Sequence, residues 1–299
     1  MQTEPVHIDL TTEPGAPDHP NEDYCSVALP AHGHGGCLVL LDGVTPPEGD
    51  DGCVHSVDWF TARLGGALGE LSVSRRDMTL EEILAEAVAR TAGTHRSTCD
   101  LSHPRTPQAT VVLARWDEEA VEHLVLSDST LLLERADGTL VPVQDPRLDT
   151  LPSPVPELRA AVRALPGHTP AARREAAVRE YVEAVEALRN AEGGFHTAAA
   201  DPAVARLAVT GRTPRAELRS LTAMTDGATR WVDRFGGTWA GTLDLVRTQG
   251  TAHLVQAVRD LEHAVPSPRG KRHDDATAVH VAFWPAGPCL RPHSSPAGA

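Results

Sequence analysis

Cysteine is scarce and poorly placed for cross-linking. Cys25, Cys37, Cys53, Cys99 and Cys289 are spread over 299 residues with no CxxC pair, which argues against a zinc knuckle or disulfide framework and leaves free, mostly buried thiols. Positive charge is also in deficit: 27 Lys and Arg face 41 Asp and Glu, for a net charge of -14. Phosphate backbones and anionic membrane surfaces are bound by basic patches, so neither nucleic acid nor membrane is expected as a partner. No apolar run approaches the roughly 18 residues that a bilayer span needs. The start, MQTEPVHIDL, has neither the basic nor the apolar region of a secretion signal, and a cytoplasmic location is the expectation. No glycine-rich phosphate loop follows a strand, no GxSxG elbow is present and no repeat is visible, which disfavours nucleotide-binding folds and serine-triad chemistry.

What is present is enough apolar residue, 41%, to bury a substantial core. GCLVLLDG (36–43) reads as a buried strand closed by a Gly turn. Val54 to Leu71 has a helical pattern, and TLEEILAEAVARTAG follows with a Thr79/Glu82 capping box. ATVVLARW, VEHLVLSD, TLLLERADG and TLVPV then read as an antiparallel meander. Prolines between Pro142 and Pro170 indicate a long surface connection. In PAARREAAVREYVEAVEALRN, Val178, Tyr181, Val182, Val185 and Leu188 form one stripe, expected to pack on a sheet. ELRSLTAMTDG is a further strand, helices are expected near 228–235 and 241–264, and ATAVHVAFW is the last strand. The order predicts an α+β domain: a central antiparallel β-sandwich with helices on both sides. The expected boundaries are a flexible 1–17, a domain over 18–284 with a Pro-rich and helical insertion at 142–215, and a disordered tail at 285–299.

Aspartates recur at strand ends: Asp23, Asp42, Asp226 and Asp274, with Glu22 and Asp275 beside two of them. Clustered carboxylates repel one another unless a cation intervenes, and magnesium and manganese prefer oxygen ligands. Taken singly, each of these short motifs is also an ordinary turn or cap.

In sequence, PNEDYCSV, LVLLDG, QATVVLA, VLSDST, LTAMTDG and HDDATAVHV resemble the successive motifs of the type 2C metal-dependent protein phosphatase family, over about residues 20 to 283. The resemblance implies a binuclear magnesium or manganese centre at one end of the sandwich. It places Glu22, Asp23, Asp42, the Gly43 carbonyl, Asp226 and Asp274 as metal ligands, with Asp23 and Asp42 also carrying the catalysis. Asp275 is read as serving its loop. The implied activity is phosphomonoester hydrolysis by a hydroxide bridging the two metals.

The chain departs from the family at the residue four before Glu22, where a phosphate-gripping arginine usually stands and Asp18 is found. The arginine of the family's GDSR stretch is Thr130 here, and no histidine follows Asp42-Gly43. His19, or Lys271, Arg272 and His273, are candidates to take over the phosphate, and His103, near Asp100, is a candidate acid. Three functions stay open: a protein Ser/Thr phosphatase, a phosphatase of small phosphorylated metabolites with a rebuilt pocket, and a weakly active regulatory binding module.

Overall fold

The computed structural model describes residues 6–30, 35–47, 49–265 and 272–283. The expected disordered tail and Lys271 lie outside these residues. The first sheet comprises β1 (Val6–Glu13), β6 (Thr130–Arg135), β7 (Leu140–Val143), β9 (Leu218–Met224) and β10 (Ala276–Phe283), in the order β1-β10-β9-β6-β7. The second comprises β2 (Tyr24–Ala28), β3 (Gly36–Leu41), β4 (Val111–Trp116), β5 (Ala120–Leu126) and β8 (Val209–Pro214), in the order β2-β3-β4-β5-β8. All pairings between these strands are antiparallel. The helices are α1 (Val57–Ser74), α2 (Leu80–His95), α3 (Val155–Ala164), α4 (Ala171–Glu186), α5 (Asp226–Asp233), α6 (Trp239–Gln249) and α7 (Thr251–Ala264).

The sandwich explains why its central strands are apolar without alternation. Leu38 and Leu40 point between the sheets to join Val112, Leu131, Leu221 and Val279. Val39 and Leu41, on the opposite face of the same strand, pack on Phe60 and Leu64 of α1 and Ile83 of α2. On the far side, Leu132, Met224 and Ala278 meet Leu243, Val246 and Leu254 of α6 and α7. Successive strand residues face opposite ways, so a strand covered on both sides has no polar face to show. The Thr79/Glu82 capping box forms as read, with Thr79 accepting from the Glu82 N–H and Glu82 accepting from that of Thr79.

Four expectations are corrected. Residues 6–13 of the supposedly flexible N-terminus form β1, in register with β10 from Val6↔Phe283 to Glu13↔Ala276. The meander breaks between β5 and β6: the two strands lie in different sheets, and the chain crosses at Ser127, whose φ of 70° is a left-handed conformation rare outside glycine. The Pro142–Pro170 connection contains α3. Finally, α4 packs on α3 rather than on a sheet, with Tyr181, Val185 and Leu188 around Leu151, Val155 and Phe195.

His280 on β10 is buried on the face toward the helices, and its Nδ1 is 2.8 Å from the Thr222 hydroxyl. Burial, then the nearby Arg247, push it down to about 4. The unfolded chain therefore takes up a proton near pH 6.5 that the folded chain refuses until about 4. The contribution is fully present above pH 6.5 and falls away as pH drops toward 4, by about 3 kcal/mol. Urea denaturation at pH 7 and pH 4.5 should show a smaller acid loss in His280→Gln than in wild type.

Candidate active site

One end of the sandwich gathers the carboxylates because antiparallel strands alternate direction. β2 begins opposite the end of β3, with Tyr24 paired to Leu41, so Asp23 and Asp42 flank the same pair. Asp128 sits in the crossover from β5 to β6. Asp226 follows the end of β9, and Asp274 precedes the start of β10. Both sheets thus contribute acids from positions more than 200 residues apart.

The surroundings hold these acids in place without neutralising them. The N–H of Asp42 donates to the Thr110 hydroxyl at 3.3 Å, and the Thr110 N–H donates to the Asp42 carbonyl at 2.9 Å. The Thr110 and Ser129 hydroxyls lie 2.6 Å apart. Asp23 Oδ2 accepts from Thr277 Oγ1 at 2.7 Å and Thr225 Oγ1 at 3.1 Å. Gly43 is compelled by space, since a Cβ there would lie 2.6 Å from the Glu22 carbonyl oxygen and 2.5 Å from Val57. Gly227 is equally fixed, with the Asp275 carbonyl oxygen 2.0 Å from where its Cβ would be. The Asp275 carboxylate accepts from the N–H groups of Gly15 and Glu22, both at 2.7 Å, which is the loop-holding role read for it.

Crowding shows in the acidities. Burial, with the charges of Asp275 and Asp226 adding to it, raises Asp23 to about 8 against the pull of two threonine hydroxyls. Burial raises Asp226 to about 7, helped by Asp128 and Asp274. Asp42 is pushed well above the carboxylate range by burial and then by Asp23, Asp226, Asp128 and Asp274. These five aspartates therefore form one electrostatic unit. Asp23 Oδ1 is buried and has no hydrogen-bond partner among the described residues. An orphaned carboxylate oxygen among mutually repelling acids fits a hard divalent cation.

The remaining candidates divide. Glu22 lies beside the cluster and accepts from the Thr45 hydroxyl, and Asp274 pairs with the buried Arg230 at 2.8 Å. His19 and Asp18 are exposed in the turn before the cluster. Arg272 and His273 are not brought to the acids. Arg272 Nη1 donates to the Glu262 carbonyl at 3.3 Å and His273 Nδ1 lies 2.7 Å from the Glu262 carboxylate, because the chain entering β10 runs beside the end of α7. His103 packs against Gly52, and its Nδ1 accepts from the Arg105 N–H at 3.2 Å. Asp100 caps its own turn through Ser102.

Two residues were missed as site members. Asp128 stood in the VLSDST motif, but its membership needed the sheet crossover. Arg189 follows α4, in a segment that reaches the site because Ala198 pairs with Ala109, which in turn bridges Gly43. Arg189 and Asp128 interact electrostatically, and burial lowers the Arg189 pKa. Its Nε is buried without a partner. No local sequence signal marks it.

The fold is that of solved bacterial serine/threonine phosphatases. The chain is similar in structure to the serine/threonine phosphatase Stp1 from Staphylococcus aureus, with a TM-score of 0.59 and 14% identity over 95% of this chain and 98% of that one. The serine/threonine phosphatase of S. agalactiae gives 0.55 and 14% identity, over 93% and 100%. The catalytic domain of the phosphatase PstP, crystallised with two manganese ions, gives 0.52 and 17% identity, over 93% and 97%. No family model matches the sequence, and no curated relative does.

Cations and protons compete for the same carboxylates. With Asp23 raised to about 8 and Asp226 to about 7, manganese affinity measured by calorimetry should rise steeply from pH 6 to pH 8. Proton release, read from the buffer dependence of the heat, should accompany binding and shrink as pH rises. Asp42→Asn should weaken binding at least about tenfold.

Proposed function

We propose that the protein is a magnesium- or manganese-dependent phosphomonoester hydrolase acting on phosphoserine or phosphothreonine in proteins. The observation that carries this reading is the orphaned Asp23 oxygen within a unit of five aspartates drawn from both sheets. Asp23, Asp42, Asp226 and Asp274, with Glu22 and the Gly43 carbonyl, would hold two cations. When bound, those cations would supply an activated water for attack on phosphorus and offset charge on the phosphoryl oxygens.

The protein's own residues keep the acids poised for this. Thr110 and Ser129 fix the backbone at Asp42, and Thr225 and Thr277 leave one Asp23 oxygen open. Arg230, shared between Asp274 and Glu262, orients Asp274. The phosphate needs a cation, and the family arginine is replaced by the exposed Asp18. Arg189, half-buried, within electrostatic reach of Asp128 and with a buried, unused Nε donor, is the residue we assign to that task. The similarity of the fold to protein phosphatases favours a phosphoprotein substrate over a small metabolite.

Purified protein with manganese should hydrolyse an aryl phosphate and dephosphorylate phosphopeptides, and Asp42→Asn should abolish both. Arg189→Ala should lower kcat/KM about 10- to 100-fold with manganese affinity unchanged. Manganese binding without turnover in wild type would replace this reading with that of a regulatory binding module.

A further inference from the structure

A second cluster of metal-ligating side chains lies apart from the acid site. Cys53 Sγ is 3.0 Å from Cys99 Sγ and 3.5 Å from His95 Nδ1, and the ligand atoms of all three residues fall within 4.8 Å of one another. Around a tetrahedral zinc, with Zn–S about 2.3 Å and Zn–N about 2.0 Å, a sulfur–nitrogen edge is about 3.5 Å and a sulfur–sulfur edge about 3.8 Å. The first edge is already present. The second needs the sulfurs to part by about 0.8 Å.

Three further features suit a thiolate-bound ion. The Val54 N–H donates to Cys99 Sγ at 3.5 Å and the His55 N–H donates to Cys53 Sγ at 3.4 Å, contacts that favour sulfur carrying negative charge. His95 is buried at 1% exposure, and its Nε2 has no partner, so the contact with Cys53 is what occupies this imidazole. His55, stacked on Trp59 with ring centres 4.0 Å apart, stands 5.8 Å from the His95 ring and is a donor at hand for the fourth corner.

We propose that Cys53, His95 and Cys99 form a binding site for a zinc-class ion, which staples the loop after Asp42 to the end of α2. That loop, Val44 to Ser56, and the segment Arg96 to Gln108 are already joined at both ends. Val44 N–H donates to the Gln108 carbonyl at 2.9 Å near the acids, and Asp100 N–H donates to the Gly52 carbonyl at 2.7 Å beside the cysteines. The ion would lock the far end. Burial and His55 hold His95 below its ordinary range, keeping it in the neutral form that ligates. Burial and the contact with Cys99 push Cys53 up to about 11, whereas Cys99, despite its burial, is lowered by Cys53 and the Val54 N–H. Thiol protons leave to solvent when the metal takes both sulfurs.

The test is cobalt titration of the reduced, metal-stripped full chain. One equivalent should produce an intense thiolate-to-cobalt charge-transfer absorption and tetrahedral visible bands, and zinc should bleach them. Cobalt held by the acids is six-coordinate, pale and without a thiolate band. Cys99→Ser and His95→Ala should weaken this binding by at least about tenfold, whereas Asp42→Asn should leave it intact; this keeps the outcome separate from that of the phosphatase reading. Hydrogen exchange on zinc addition should slow in 44–56 and 96–106. The proposal is overturned if wild type shows no thiolate band, if the band survives in a folded Cys53→Ser/Cys99→Ser variant, or if mass spectrometry of the protein purified without reductant shows these two cysteines joined in a disulfide with no metal.

Discussion

The repulsion among Asp23, Asp42, Asp128, Asp226 and Asp274 is the constraint around which this end of the molecule is organised. Acids so placed cost stability when ionised, and the chain does not relieve the cost with basic partners for each. Arg230 reaches Asp274, and threonine hydroxyls reach one oxygen of Asp23, but neither Asp23 nor Asp42 is given an ion pair among the described residues. The raised pKa values of Asp23 and Asp226 are the physical record of that arrangement. Crowded acids with one oxygen unsatisfied fit positive charge supplied from outside the chain.

The sandwich supplies the rigidity that such crowding requires. Asp42, Asp226 and Asp274 sit within two residues of the ends of central strands, Asp128 lies in the crossover between sheets, and Asp23 immediately precedes the edge strand β2, which pairs with the buried β3. The glycines at 43 and 227 let neighbouring backbone approach closer than any side chain would allow. The polar residues of the looser motifs have a clear role in this frame: Thr110 and Ser129 form a small network behind Asp42. Of the departures from the motif pattern that the sequence resembles, Asp18 and the loop after Gly43 fall outside this frame, whereas Thr130 is the buried first residue of β6. That loop carries Cys53, which meets His95 and Cys99 at the end of α2.

Much of the fold was legible because the central strands are fully covered and therefore read as unbroken apolar runs. The strands not read were β1, β2 and β8, all at sheet edges. Edge strands are half-exposed, and VTGRTP carries a glycine and a proline that a central strand would not tolerate. The stripe on α4 was visible, but its partner was not, because periodicity marks a buried face without naming what covers it. The meeting of Cys53 and Cys99 was not legible for a related reason. Spacing rules look for paired cysteines close in sequence, whereas Cys53 and Cys99 are brought together by the hairpin of α1 and α2.

The sequence by itself determined which residues end the strands in carboxylate and glycine, because a buried apolar run must terminate in something polar and the order of those terminations is written in the chain. It also determined the layered α+β class, through which segments need cover on two faces and which on one. Only the tertiary structure decided that Asp128 and Arg189 belong with the acids, that Arg272 and His273 turn to α7, and that Cys53, His95 and Cys99 meet. Each of those outcomes depends on where the chain crosses between sheets or folds back over a helix. Such crossings are set by packing between distant segments, which no local pattern encodes.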